Sequence, residues 1–176
     1  MACNQLSLAC QKVGRFLHDF ASLEKEIDER IVDILQLKDD AAQVVANSVD
    51  FFRKLNILRT IAQATAPENE KKSVEKLFSA IAEHNNNRVL MAHSVFEPAA
   101  DESVQFRRTI AKDGKVKVQD PLWSKNDFEE ASAQLKKTCD GLAQLRPTLT
   151  YKVVDGRPEL VNHYLFTPFS TWVPTG

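Results

Sequence analysis

A chain of 176 residues, 43% apolar and 27% charged, is long enough to bury one substantial core and has the composition of an ordinary globular protein. With 23 basic and 24 acidic side chains interleaved along it, the chain has no global positive field to hold nucleic acid by phosphate neutralisation alone, so any such contact must be local. Five glycines disfavour a strand-rich fold with many tight turns, and the three cysteines, Cys3, Cys10 and Cys139, lack metal-ligand spacing and point to a reducing compartment rather than a disulfide framework.

No apolar run approaches the roughly 18 residues of a membrane span. The opening "MACNQLSLACQKVGRF" lacks the basic and long apolar regions of a signal peptide. The expectation is a cytoplasmic protein with no membrane partner.

In residues 6–37, Phe16, Phe20, Leu23, Ile27, Ile31 and Ile34 recur at spacings of three and four, which predicts a helix with one buried face. Glu26 and Arg30 support it from the solvent side. "LKDD" interrupts the pattern, and Asp39 or Asp40 can cap a second helix over 41–64, with Val45, Val49, Phe52, Leu55 and Leu58 as its stripe. Pro67 ends that helix and pushes Ala66 out of the α region. A third helix starts near Glu70, with Val74, Leu77, Phe78 and Ile81 inward.

After Phe96 the period changes to two. Val104, Phe106 and Ile110 alternate, "KDGK" supplies a turn, and Val116 and Val118 alternate again, which predicts a β-hairpin over 103–119. Ser124 and Asp127 form a capping-box-like pair at the start of a fourth helix, whose stripe is Phe128, Ala131, Leu135, Cys139, Leu142 and Leu145. Trp123 is placed beneath the hairpin. Residues 148–176 hold both tyrosines, Trp172 and the turn signal "VVDGRPE", and read as an extended aromatic-rich C-terminal arm or hairpin rather than a helix. The fold class is therefore mainly α: an antiparallel four-helix bundle domain (1–147), a short β-hairpin between helices three and four, and the arm (148–176).

The decapeptide "HNNNRVLMAH", residues 84–93, is where chemistry concentrates. Extending the third helix places His84, Asn85, Arg88, Ala92 and Val95 on its inward stripe, so that stripe turns polar for one or two turns. A buried guanidinium must find compensation. The three asparagines are poor helix formers, so one reading is a helix kink with a surface arginine, Asn86 or Asn87 capping a fresh turn. A metal site is not, because His84 and His93 are nine apart and fall on opposite sides of a straight helix. No nucleophile elbow or phosphate loop is present, and no cofactor is implied.

Arginine with histidine suits metal-free phosphodiester chemistry. Histidine moves a proton near neutral pH, and arginine holds the phosphate and its developing charge. "RVLMAH", Arg88 to His93, resembles the R-x4-H signature of the HEPN superfamily (higher eukaryotes and prokaryotes nucleotide-binding). These are helical bundles, many of them metal-independent ribonucleases in toxin–antitoxin, antiphage and RNA-processing systems, others non-catalytic RNA- or partner-binding modules. The resemblance implies Arg88 as the phosphate-binding residue and His93 as general acid or base. It also implies a homodimer in which both motifs line one cleft. The family prefers a polar residue after the arginine; here Val89 follows and Asn87 precedes.

His84, Asn87, Arg107 and Arg108 are candidate binding residues, the last two on a basic hairpin edge with Lys112, Lys115 and Lys117 whose plainer explanation is edge-strand protection by charge. Three functions stay open: RNA binding with or without cleavage, a non-enzymatic helical module for a protein partner, and a small-ligand sensor around His84 and Arg88.

Overall fold

The computed structural model describes residues 2–145, 147–154 and 157–164. Among them the helices are α1 (Ala2–Leu35), α2 (Asp39–Ser48), α3 (Phe51–Thr65), α4 (Glu68–His93) and α5 (Lys125–Gln144). The strands are β1 (Val95–Pro98), β2 (Val104–Lys112), β3 (Lys115–Gln119), β4 (Leu122–Trp123), β5 (Pro147–Val154) and β6 (Arg157–Tyr164). The protein is mainly helical, with β1–β4 in one antiparallel sheet and β5–β6 in another.

Five helices stand among the described residues where the periodicity predicts four, because the second expected helix is two. Asn47 and Ser48 are poor helix formers, and Asp50 takes an extended conformation whose carboxylate accepts from the Arg53 N–H at 3.0 Å. That cap starts a new helix and leaves Phe52, expected inward, 53% exposed. Pro67 acts as expected: Ala66 sits at φ −64°, ψ 137°, and α3 ends before it.

The described residues fall into two compact units, drawn from Met1–Ser22 with Ile81–Lys136 and from Leu23–Ala80 with Lys137–Gly176. In the second, the predicted stripes are buried: Leu23, Ile27, Ile31 and Ile34 of α1, Leu55 and Leu58 of α3, Val74, Leu77 and Phe78 of α4, and Leu142 of α5. Lys54, nearly buried, reaches Asp28 at 2.7 Å, and Arg59 of α3 binds both carboxylate oxygens of Glu75 on α4. β5 and β6 pair from Pro147↔Tyr164 to Val154↔Arg157 beside α3. This places a hairpin in the expected arm, while residues 165–176, including Trp172, lie outside the described residues.

In the first unit, β2 is the central strand. β1 pairs one edge from Val95↔Arg107 to Pro98↔Val104. On the other edge β3 pairs from Arg108↔Gln119 to Lys112↔Lys115, and β4 meets Val104 and Gln105. The predicted hairpin is thus the centre of a four-stranded sheet. Its turn, Asp113–Gly114, has positive φ at both residues (53° and 71°), the two-residue form that Asp-Gly favours. Val104 and Phe106 point into the core, where Phe106 meets Trp123 (6.3 Å between ring centroids), Phe128 (6.4 Å) and Phe96 (6.0 Å). Phe16 of α1 closes the cluster edge-on against Trp123 at 6.3 Å. Trp123 lies where the sequence places it, and so does its neighbour Ser124: the Ser124 hydroxyl donates to Asp127 at 2.7 Å and accepts from the Asp127 N–H at 3.2 Å.

The turn from β1 to β2 is less ordinary. Asp101 and Glu102 both have positive φ (53° and 57°), although neither is glycine. Each such residue costs about 1 kcal/mol or more. Lys12 of α1 donates to the Glu102 carbonyl at 2.6 Å and to its carboxylate at 3.2 Å, and Lys125 at the start of α5 lies 3.7 Å from the same carboxylate. The Lys12 hydrogen bond, aided by the charges of Lys125 and Lys12, holds the Glu102 carboxyl below its ordinary range.

Phe106→Ala is expected to destabilise the protein by about 3–5 kcal/mol, read as a fall in the urea midpoint. Ser124→Ala should cost about 1 kcal/mol, in line with loss of a helix cap.

Candidate functional site

α4 runs without interruption from Glu68 to His93, straight through Asn85, Asn86 and Asn87. The break that the asparagines allow is absent because burial outweighs propensity here. Asn85 is 3% exposed, and Ile81 and Met91 anchor the helix in apolar surroundings on either side of it. His84 is 3% exposed as well, so the polar interruption of the inward stripe is real. The stripe ends sooner than the spacing suggests. Ala92 is exposed, and Val95 belongs to β1 with 71% of its surface open.

Arg88, four residues after His84, is half-buried. Its guanidinium carbon lies 5.8 Å from the centre of the Phe20 ring on α1, within cation–π range. Among the described residues, no carboxylate stands within ion-pair distance of Arg88. The compensation that a buried guanidinium requires therefore comes from an aromatic face, which leaves its N–H donors without an anionic partner. Phe20 reads in the sequence only as a core residue; nothing in its spacing marks it as the seat of a cation.

His93 is the last residue of α4 and is exposed. On an unbroken helix it is rotated about 140° from Arg88 and displaced about 7.5 Å along the axis, so the two do not converge within one chain. Asn87 is half-buried beside Arg88. Arg107 and Arg108 occupy opposite faces of β2: Arg107 is exposed and pairs with Asp120 at 3.5 Å, whereas Arg108 is half-buried on the face that carries Phe106. The structure thus unites His84, Asn85 and Arg88 on one side of one helix and leaves His93, Arg107 and Arg108 apart from that group in orientation.

Burial lowers the His84 pKa to about 4, so this imidazole is neutral at physiological pH and adds no positive charge beside Arg88. Among the described residues, no group of three His, Cys, Asp or Glu side chains is placed to hold a metal ion. No described helix is long and apolar enough to cross a membrane. A small pocket lies elsewhere, at the β1–β2 turn, lined by Gln5, Leu8, Ala9, Pro98, Ala99, Glu102 and Ser103. Neither it nor the Lys12–Glu102 contact, made across 90 residues of chain, has a local signature in the sequence.

No protein family, no characterised protein and no solved structure gives a match to this chain.

The lowered pKa of His84 has a consequence for stability. Between about pH 4 and the ordinary imidazole value of 6.5, the unfolded chain binds a proton at this position that the folded chain does not. The stabilisation is complete above pH 6.5 and is lost as the pH falls toward 4, by about 3 kcal/mol across the window. Urea midpoints measured from pH 7 to pH 4 should therefore fall less steeply in His84→Gln than in the wild type. Parallel curves would show that His84 titrates normally.

Proposed function

We infer that this is a HEPN-like, RNA-binding helical protein, and that its chemistry is metal-independent cleavage of the RNA backbone by Arg88 and His93. The observation that carries the reading is the state of Arg88: a half-buried guanidinium, oriented by Phe20, with no carboxylate in reach among the described residues. A planar fork of N–H donors matches a phosphate bidentately, as it does a carboxylate. In this reading the phosphate is held by Arg88, and Asn87 adds a polar contact. His93 takes the proton from the ribose 2′-hydroxyl or gives one to the leaving 5′-oxygen, and the products are a 2′,3′-cyclic phosphate and a 5′-hydroxyl end.

The straight helix sets a condition on cleavage. One chain keeps the arginine and the histidine on different sides of α4, so the cleft needs two copies of α4 beside a two-fold axis. Binding by Arg88 alone does not.

A second reading, a non-enzymatic module for a protein partner, is favoured by a different observation. Val95, Val116, Val118 and Leu122 are 71%, 71%, 54% and 56% exposed, and the strand register puts all four on the outward face of the β1–β4 sheet. Apolar side chains gathered on one exposed face suit protein contact.

Purified protein incubated with mixed RNAs in EDTA should yield cyclic phosphate ends. Arg88→Ala and His93→Ala should each lower the rate by about 100-fold or more, with melting temperatures near the wild type. The protein should sediment as a dimer under the same conditions. Intact RNA after prolonged incubation with a folded dimer would remove the catalytic claim, and equal RNA affinity in wild type and Arg88→Ala would remove the binding claim.

A further inference from the structure

The β2–β3 ribbon is charged out of proportion to the rest of the molecule. The chain carries a net charge of −1, yet residues 104–119 hold five cations, Arg107, Arg108, Lys112, Lys115 and Lys117, against the single acid Asp113 at the turn. The register separates these charges by face. Ile110 stands opposite Lys117 and Arg108 opposite Gln119, so Arg108, Ile110, Lys115, Lys117 and Gln119 share one side. Thr109, Ala111, Val116 and Val118 share the other, together with Arg107.

Arg107 pairs with Asp120 at 3.5 Å. Among the described residues, none of Arg108, Lys115 and Lys117 lies within ion-pair distance of a carboxylate. The cationic side continues the core face of β2. Val104 and Phe106 are buried, and past them the strand outgrows its core and the same face turns positive.

Edge protection explains lysines on β3, which is an edge strand. Arg108 lies one residue past the stretch that β1 pairs, so β2 is held on one side only there and the same explanation reaches it. Edge protection does not, however, require that Arg108, Lys115 and Lys117 share one face, as the register places them.

We propose that the face of the β2–β3 ribbon carrying Arg108, Lys115 and Lys117 is a docking surface for the sugar–phosphate backbone of single-stranded RNA. The surface deepens the RNA reading above and supplies what Arg88 alone does not, an extended contact along the strand. The lysines, two residues apart on β3, meet successive phosphates as point charges, and the Arg108 fork takes a phosphate bidentately. Ile110 offers a small apolar seat among the cations for a sugar or base, and Gln119 a neutral hydrogen-bonding group. A single strand fits better than an RNA duplex, because its unpaired bases are free to rest on Ile110 while its phosphates meet the cations.

The test measures binding of the full-length protein to a labelled single-stranded RNA of mixed sequence by fluorescence anisotropy, over a range of salt concentrations. Lys115→Glu/Lys117→Glu should weaken binding by about tenfold or more, and Lys115→Gln/Lys117→Gln should lower the salt slope by about 0.7 for each phosphate left without its lysine. Lys25→Gln, at the surface of α1, should bind within about twofold of the wild type, a difference of less than about half a kcal/mol. Melting temperatures of all three variants report that they are folded. The proposal is overturned if both lysine variants bind as the wild type does with an unchanged salt slope, if the wild type does not bind the RNA, or if polyglutamate or phosphatidylserine vesicles compete it off more effectively than unlabelled RNA. Binding abolished in Arg88→Ala but kept in the lysine variants defeats the ribbon and leaves the Arg88 reading standing. Binding and cleavage kept in Arg88→Ala but binding abolished in the lysine variants does the reverse.

Discussion

Phe106 points inward from near the start of β2, and four aromatic rings come together around it and around one another. Phe96, Trp123 and Phe128 meet it directly, Trp123 packs on Phe128 with 5.2 Å between centroids, and Phe16 of α1 seals the far side of the tryptophan. A sheet with two very short strands, β1 and β4, has little hydrogen bonding of its own to hold it flat. Ring burial supplies the cohesion instead, and edge-to-face geometry fixes the angle at which each element arrives. The ribbon beyond Phe106 can extend past the core, cationic on one face and largely apolar on the other, because its base is anchored there.

The same α1 helix contributes Phe20, the next residue of its buried stripe after Phe16, as the surface under Arg88. Pairing a guanidinium with a ring rather than with a carboxylate has different consequences from an ordinary internal ion pair. A carboxylate would occupy the N–H donors and cancel the charge; a ring orients the group and does neither. His84, one turn earlier, is kept neutral by burial, so Arg88 stands as an isolated positive charge in that stretch of α4. Two separate cationic features, one helical and one on a ribbon, thus coexist in a chain whose overall charge is close to zero.

The helices were legible wherever an apolar stripe ran at helical period. Phe16, Phe20, Leu23, Ile27, Ile31 and Ile34 are all buried as their spacing requires. The division between α2 and α3 was not legible from the stripe, because Val49, Phe52 and Leu55 keep helical spacing across it; Asp50 as a cap was the signal that overrode them. The asparagines of α4 misled in the other direction. Their propensity argues for a break, but propensity is worth only a few tenths of a kcal/mol per residue, and burying Ile81 and Met91 on one continuous helix outweighs it. β1 and β4 were hidden because runs of four and two residues carry no detectable period. As for the site, the inward position of His84 and the opposed directions of Arg107 and Arg108 follow from helical and strand periodicity alone. The ring beneath Arg88 does not, since it depends on which helices meet.

The corner between β1 and β2 carries an unusual internal arrangement. Two consecutive residues with side chains occupy backbone conformations that suit glycine, and a lysine from the far end of the chain grips the second of them by both carbonyl and carboxylate. At that corner a steric cost in the backbone is set against an electrostatic contact made by α1. Because β1 follows α4 after a single residue, Ser94, only four residues of strand separate this corner from the helix end that bears His93.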